Sequence, residues 1–418
     1  MRRLSVIVLL LAVVFAAAGL AAAQTIVIWD RETVQTEEAV ALFNKKMEEE
    51  GRSVRAEFQL VPYEQQTQLF LAALSAGTAP DVISLDIVLH PYFNSIGAFL
   101  DITDRINALP FRDAMPDGML HLGSKDGRYY AIPYTVDLSG LVWNKDLFRE
   151  AGLDPERPPE TWDELIEYAQ VLTKDFDNDG QIDQYGFGIV GASAGWQMFG
   201  FMPVVWSFGG RLLSDDGTEV LIDSPEAIAA LQMWVDLIHK YEVAPKTAAS
   251  WQFSDVYNAF VTKRVAMMLS GNFNIMNFKN DAPDIDYGIT FIPRSNQGQH
   301  ASFAGGNLMG IVATSKHPDL AWEFVEFALS EEVQVGIWAK HGALPVRSDM
   351  FDNEYFRAEP KFQVFADILK VARAPYSTKY NELYAPMLAA MQRAMMGELS
   401  PEDAYKEAAQ EMRRVLAY

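Results

Sequence analysis

The sequence contains no cysteine in 418 residues, so neither a disulfide framework nor a thiol nucleophile is available and the fold rests on its core alone. Beyond the N-terminus it has no uninterrupted apolar run of about 18 residues, the length a membrane-spanning helix needs. Basic residues are outnumbered, 34 against 56 acidic ones, for a formal net charge of −22. Such a surface repels nucleic acid and anionic lipid headgroups and favours solubility. The six histidines are scattered, with no H-E-x-x-H or other metal-ligand spacing. There is no G-x-x-x-x-G-K-[ST] segment to cradle ATP, and no carboxylate pair stands out as a glycosidase signature. Internal repeats and low-complexity tracts are also missing.

Half of the residues are hydrophobic and 22% are charged, which excludes a disordered chain. The length exceeds one typical domain, and two lobes are expected. At the start, Arg2 and Arg3 precede an apolar run from Leu4 to Leu20, and Ala21-Ala22-Ala23 fits an A-x-A cleavage site before Gln24. A permanent anchor is the competing reading of this run. Cleavage after Ala23 is expected, with no cysteine there to carry a lipid; it would remove two positive charges and leave a soluble, exported protein.

The mature region opens with strand, helix, strand, helix, strand. Gln24–Trp29 and Val54–Leu60 read as strands, and "APDVISL" as a buried one. Between them, Thr36–Glu50 carries Val40, Phe43 and Met47 at helical spacing, and Tyr63–Ala76 closes at Gly77. This order predicts an α/β fold with a mostly parallel sheet covered by helices, whose ligands meet the loops beyond the strands' carboxyl ends. Asp30, Arg31 and Asp86 lie in those places. Thr161 with Glu164, and Ser224 with Pro225, mark the starts of later helices. Trp162 and Trp234, inside those helices, read as packing.

"KDFDNDGQIDQYGF" (174–187) raises a metal question. Asp175, Asp177, Asp179, Gln181 and Asp183 occupy positions 1, 3, 5, 7 and 9 of an EF-hand-like loop with Gly180 at 6. Position 12 is Gly186, so the bidentate glutamate is missing, and a strand-like segment replaces the exiting helix. A calcium sensor is thereby disfavoured. A structural calcium clamp and a solvated acidic turn remain open. "GFGIVG" (186–191) matches a dinucleotide fingerprint, but its glycines fall inside a predicted strand. "GASAG" (191–195) matches a nucleophile elbow with Ser193, for which Asp255 and His300 would complete the order of an exported serine hydrolase. A small-residue loop before Trp196 explains it more simply.

Several segments in fixed order give the chain a family likeness: "GTAPDVISLD", "YAIPYTVDLSGLVWNKDLFREAGLD", "PPETWDELIEYAQVLT", "AFVTKRVAMMLSGNF", "FAGGNLMGIVATSKHPDLAWEFVEFA" and "GALPVR". Essentially everything after residue 24 resembles the extracellular solute-binding proteins of family 1, the maltose-binding-protein-like sugar receptors of ABC importers. The resemblance implies a type II-like periplasmic binding fold, with two lobes, each a mostly parallel sheet flanked by helices, joined by three crossings. These are placed near Val136, Thr290 and Ser315, giving residues 24–136 with 291–315 as one lobe and 137–290 with 316–418 as the other. It implies a monomeric periplasmic receptor, not an enzyme, that hands a sugar or oligosaccharide to an ABC permease and uses no organic cofactor or nucleic acid. A glycerol phosphate ester or a polyamine is the alternative solute.

Sugar recognition needs flat rings for the C–H face and planar polar groups for the hydroxyl edge. Among the nine tryptophans, Trp196, Trp251 and Trp338 stand where relatives carry cleft aromatics, with core packing the competing reading of each. Phe273 takes the place of a common tryptophan, beside Asn272. Tyr134 and Asp137 lie at the first crossing. Gly305, Gly306 and Asn307 would bring backbone amides close to a ligand or merely make a tight turn. Arg347 faces the cleft or the surface.

Overall fold

A computed structural model describes residues 24–62 and 65–417. The expected signal peptide, residues 1–23, lies outside the described residues. Strand β1 (Gln24–Asp30) pairs in parallel with β2 (Val54–Leu60), from Gln24↔Val54 to Asp30↔Leu60, and with β3 (Val82–Asp86). Helix α1 (Thr33–Glu49) begins three residues before the expected Thr36, and buries Thr36, Ala39, Val40, Phe43 and Met47 as one stripe. Helix α2 (Gln66–Ala76) ends at Gly77, whose φ of 68° is the left-handed conformation that terminates helices.

Two long strands tie the lobes together. Ile132–Asn144 runs antiparallel to Ser302–Ile311, with Ala304 opposite Leu138 and Asn307 opposite Thr135. On one side Ser302–Ile311 pairs with β3. On the other, Ile132–Asn144 pairs with Val265–Gly271 and Tyr287–Thr290. Tyr185–Gly188 closes the row, parallel to Val265–Gly271. The expected parallel arrangement therefore holds for β1, β2 and β3, whereas the sheet as a whole is mixed. Strands that carry the chain back between lobes run against their neighbours, and only parallel pairs need helical crossovers.

All ten residues of Ser302–Ile311 are buried, and Asp137 alone is not fully buried among the thirteen of Ile132–Asn144. Continuous apolar strands are what a sheet covered on both faces requires. At their contact the register shifts between Asn307 and Leu308. Gly306, at φ 106°, would place a Cβ 2.2 Å from the Thr135 carbonyl oxygen, so no side chain fits there.

The first crossing runs within Ile132–Asn144, which pairs with Ser302–Ile311 at its start and with Val265–Gly271 toward its end. Residues 291–301 remain with the second lobe: Arg294 accepts from the Trp162 amide (3.0 Å), and Asn296 donates to Asp163 (2.6 Å). The return crossing lies inside Ser302–Ile311, not at Thr290. After Ser315 the chain stays on the first lobe, because the apolar face of helix Pro318–Ala328 needs α1 as its cover; Phe324 meets Phe43 edge-on at 5.3 Å. Ser348 still contacts Ala114 (3.1 Å), while Lys361 already lies over Tyr287 (4.6 Å), so the third crossing falls between them.

In the second lobe, Trp162 packs edge-on against Trp234 at 6.1 Å. Thr161 caps helix Trp162–Leu172 through the Glu164 amide, and Ser224 caps Pro225–His239 through the Ala227 amide. Glu164 reaches back to the Glu160 amide instead of the cap's own, so only half of the expected capping box forms.

Candidate functional site

A cleft of about 260 Å³ opens where the two lobes meet. The first lobe supplies Arg31 and Asp86, from the carboxyl ends of β1 and β3. The crossing strands supply Asp137, Phe303, Gly305 and Gly306. The second lobe supplies Trp196, Phe199, Phe273, Tyr380 and Tyr384.

The polar side is built on Asp30, which is fully buried at the end of β1. It accepts from the Thr36 hydroxyl (2.7 Å) and the Arg31 amide (2.7 Å), and Asn307 Nδ2 approaches at 3.4 Å. Burial pushes the Asp30 pKa up to about 7; the Thr36 hydrogen bond opposes this and the Glu32 charge adds to it. Arg31 donates to Asp86 (Nη1–Oδ2, 3.0 Å) and lies 3.3 Å from Glu32. Burial works against the Arg31 cation, but Asp86, Glu32, Asp137 and Asp30 outweigh it and raise its pKa. Asp86 also caps the next turn through the Val88 amide (3.2 Å). Asp137, enclosed by protein except toward the cleft, has a pKa raised by burial to about 6, with Arg31 pulling it down. Beside it Asn272 accepts from the Leu138 amide (2.8 Å), while its buried Nδ2 has no partner among the described residues.

The aromatic side is a connected wall. Trp196 stacks on Phe253 (4.2 Å between centroids) and touches Phe199 (5.3 Å). Phe199 in turn meets Phe273 (5.9 Å) and Phe303 (6.0 Å), and Tyr380 meets Tyr384 (5.0 Å). Residues Gln197–Phe201 form a widened π-turn, a helical irregularity frequent at functional sites, that follows Trp196 and carries Phe199. Gly271 makes room for Phe273, since a Cβ there would lie 2.2 Å from the ring.

Of the residues singled out in the sequence, Arg31, Asp86, Asp137, Trp196, Phe273, Gly305 and Gly306 line the cleft. Asp30, Asn272 and Asn307 are buried behind it. Tyr134 and Trp338 are not at the cleft surface: both are buried, packed edge-on at 5.1 Å. Trp251 donates to Thr247 (3.0 Å), and its carbonyl accepts from Gly191 and Ala192, so it braces the loop before Trp196 from outside. Arg347 lies 3.9 Å over the Phe111 ring and pairs with Asp349. The sequence reading missed Phe199, Phe303, Tyr380 and Tyr384. The signals were present, Phe199 three residues after Trp196 and Tyr384 four after Tyr380, but helical aromatic spacing is also what a core produces.

The hydrolase arrangement does not assemble. Ser193 Oγ accepts from the Trp196 amide, Asp255 from the Gln252 amide, and the His300 ring nitrogen is engaged by the Ile292 carbonyl. Each serves a local backbone contact. Gly186 and Gly188 lie within strand Tyr185–Gly188, not in a phosphate-binding turn.

In the acidic loop, carboxylate oxygens of Asp175, Asp177 and Asp183 lie within 4.8 Å of one another. Asp179 turns instead toward Gln181, accepting from its amide (2.7 Å) and its side chain (3.1 Å). The three carboxylates accept from backbone amides, Asp175 from Asp179 and Gly180, Asp177 from Asp179 and Asp183 from Phe176, and none has a basic side-chain partner among the described residues.

Comparison with known proteins agrees with this geometry. An arabinooligosaccharide-binding protein of Halalkalibacterium halodurans is 27% identical over 337 residues, covering 79% of this chain and 72% of that protein. A solute-binding protein of Thermotoga lettingae, crystallised with alpha-D-tagatose, is 28% identical with a TM-score of 0.77, covering 94% of this chain and 100% of that one. The cyclic alpha-maltosyl-1,6-maltose binding protein of Arthrobacter globiformis is 25% identical with a TM-score of 0.82, covering 94% and 98%. The model of the bacterial extracellular solute-binding proteins matches residues 31–335, and the chain belongs to that family.

Proposed function

We propose that this protein is the sugar receptor of an ABC importer. It would be exported to the periplasm with its leader cleaved after about Ala23, capture a sugar or short oligosaccharide between its lobes, and present the closed form to a permease. The observation that carries this reading is the composition of the cleft: Arg31, Asp86 and Asp137 on one side, Trp196, Phe199 and Phe273 on the other. The carboxylates accept hydroxyl hydrogens and the guanidinium donates to hydroxyl oxygens, while the rings cover the apolar sugar face. Solute touching both sides stabilises the closed arrangement and shifts the population toward it. Micromolar affinity corresponds to about −8 kcal/mol, within reach of a few stacked rings and buried hydrogen bonds. The cleft is complete within one chain, which supports action as a monomer.

A thermal-shift screen with mono- and oligosaccharides tests this. At least one sugar raises the melting temperature, because a molecule that binds only the folded form stabilises it; no shift with any saccharide refutes the reading.

We further propose that Asp175, Asp177 and Asp183 hold a structural calcium ion. Their crowding without a basic partner supports it, since a divalent cation relieves the mutual repulsion. The ion would pin the loop between helix Trp162–Leu172 and strand Tyr185–Gly188.

A further inference from the structure

A second hollow, also about 260 Å³, lies behind the aromatic wall. His121 of the first lobe faces Trp206, Arg211, Asp215, Arg373 and Tyr376 of the second across it. The Arg373 guanidinium sits 4.9 Å over the Trp206 ring, and no carboxylate pairs with it among the described residues. Arg211 is paired only with Asp215 (2.5 Å), whose side chain is 87% exposed. An exposed pair of this kind is weak and easily exchanged for another anion. His121 meets Tyr376 at 5.1 Å, tilted by 39°, and adds its imidazole to the two guanidinium groups.

The hollow shares a wall with the first cleft. Trp206 lies parallel to Phe303 at 6.2 Å, an interplanar angle of 2°, and Phe303 lines the first cleft. Arg373 pairs with Phe303 in the short parallel contact between Ala372–Arg373 and Ser302–Phe303. We propose that this hollow is a subsite for an oxyanion carried by the solute, with Arg373, held against the Trp206 ring, as the principal donor. The anion is the carboxylate of a sugar acid or the phosphate of a sugar phosphate; a guanidinium fork suits either. This inference rests on the sugar-receptor reading.

Calorimetric titration of wild type and Arg373→Gln tests it, using glucose and maltose as neutral probes, glucuronate and digalacturonate as carboxylates, glucose 6-phosphate as the phosphate, and acetate and inorganic phosphate as free anions. The expected result is that an acidic sugar binds wild type about ten-fold or more tighter than the neutral probes. Arg373→Gln removes that preference while its melting temperature stays unchanged. Which acidic probe binds identifies the anion. Neutral sugars binding at least as tightly as acidic ones overturns the subsite and leaves the receptor reading intact. So does a variant that keeps the preference, or a free anion that binds as tightly as its sugar. Binding of no saccharide at all refutes the receptor reading, and the subsite with it.

Discussion

Replacing Asp30 by asparagine isolates the cost of burying a carboxylate beneath the cleft. Asp30 is fully enclosed, and its pKa is pushed up to about 7. An unfolded aspartate titrates near 3.9. Between those values the folded protein retains a proton that the unfolded chain has released. Stability therefore falls as pH rises from about 4 to about 7, and this contribution is flat above that window. The linkage amounts to about 1–2 kcal/mol at pH 5 and about 4 kcal/mol at pH 8, so it grows by about 2–3 kcal/mol between them. Asparagine does not ionise; its one oxygen can keep the Arg31 amide bond in the Oδ1 place, and its Nδ2 then faces the Thr36 hydroxyl, which turns from donating to accepting. Urea unfolding of wild type and Asp30→Asn at both pH values reads the effect, and other titrating groups cancel in the difference. The variant should gain about 2–3 kcal/mol on wild type between pH 5 and pH 8. A stability difference that is the same at the two pH values refutes the argument.

Further outcomes follow from the same geometry. Trp196→Ala should weaken sugar binding about 30-fold or more in calorimetric titration, the loss of a central aromatic anchor, with little change in melting temperature. Trp251→Ala, outside the cleft, should stay within about three-fold of wild type. Gly306→Ala forces a Cβ onto the Thr135 carbonyl at a positive φ and should cost about 3 kcal/mol or more in urea unfolding. Gly305→Ala, whose Cβ would lie 3.5 Å from Asp137, should cost under about 1 kcal/mol. Calcium should raise the melting temperature of wild type and not of Asp177→Asn; an equal response of both removes the ion from that loop.

Much of this arrangement is legible in the sequence where chemistry is local. β1, α1, β2, α2 and β3 announce themselves by strand runs and a helical stripe, and that order alone puts Asp30, Arg31 and Asp86 at strand ends. Gly306 is legible as close backbone approach or a tight turn, but the Thr135 carbonyl that excludes a side chain there comes from a strand far away in sequence. The crossings are not, because Ser302–Ile311 is buried along its whole length and nothing in an unbroken apolar strand marks where it leaves one lobe. Helix Pro318–Ala328 looks alike whichever lobe covers its apolar face. Trp338 sits at the end of the helical run "SEEVQVGIWAKHG", where relatives carry cleft aromatics, yet its ring is buried on Tyr134. Phe199, Tyr380 and Tyr384 have ordinary helical spacing, and only the meeting of distant segments turns them toward a shared cleft.

The central claim is that one solute is held jointly by Arg31, Asp86 and Asp137 and by the Trp196 wall. Titrating the best sugar from the screen into wild type, Asp86→Asn, Trp196→Ala and the double variant tests it most directly. One site per chain is expected, with each single change weakening binding and the double change abolishing it. Unaltered affinity in the double variant would place the solute elsewhere.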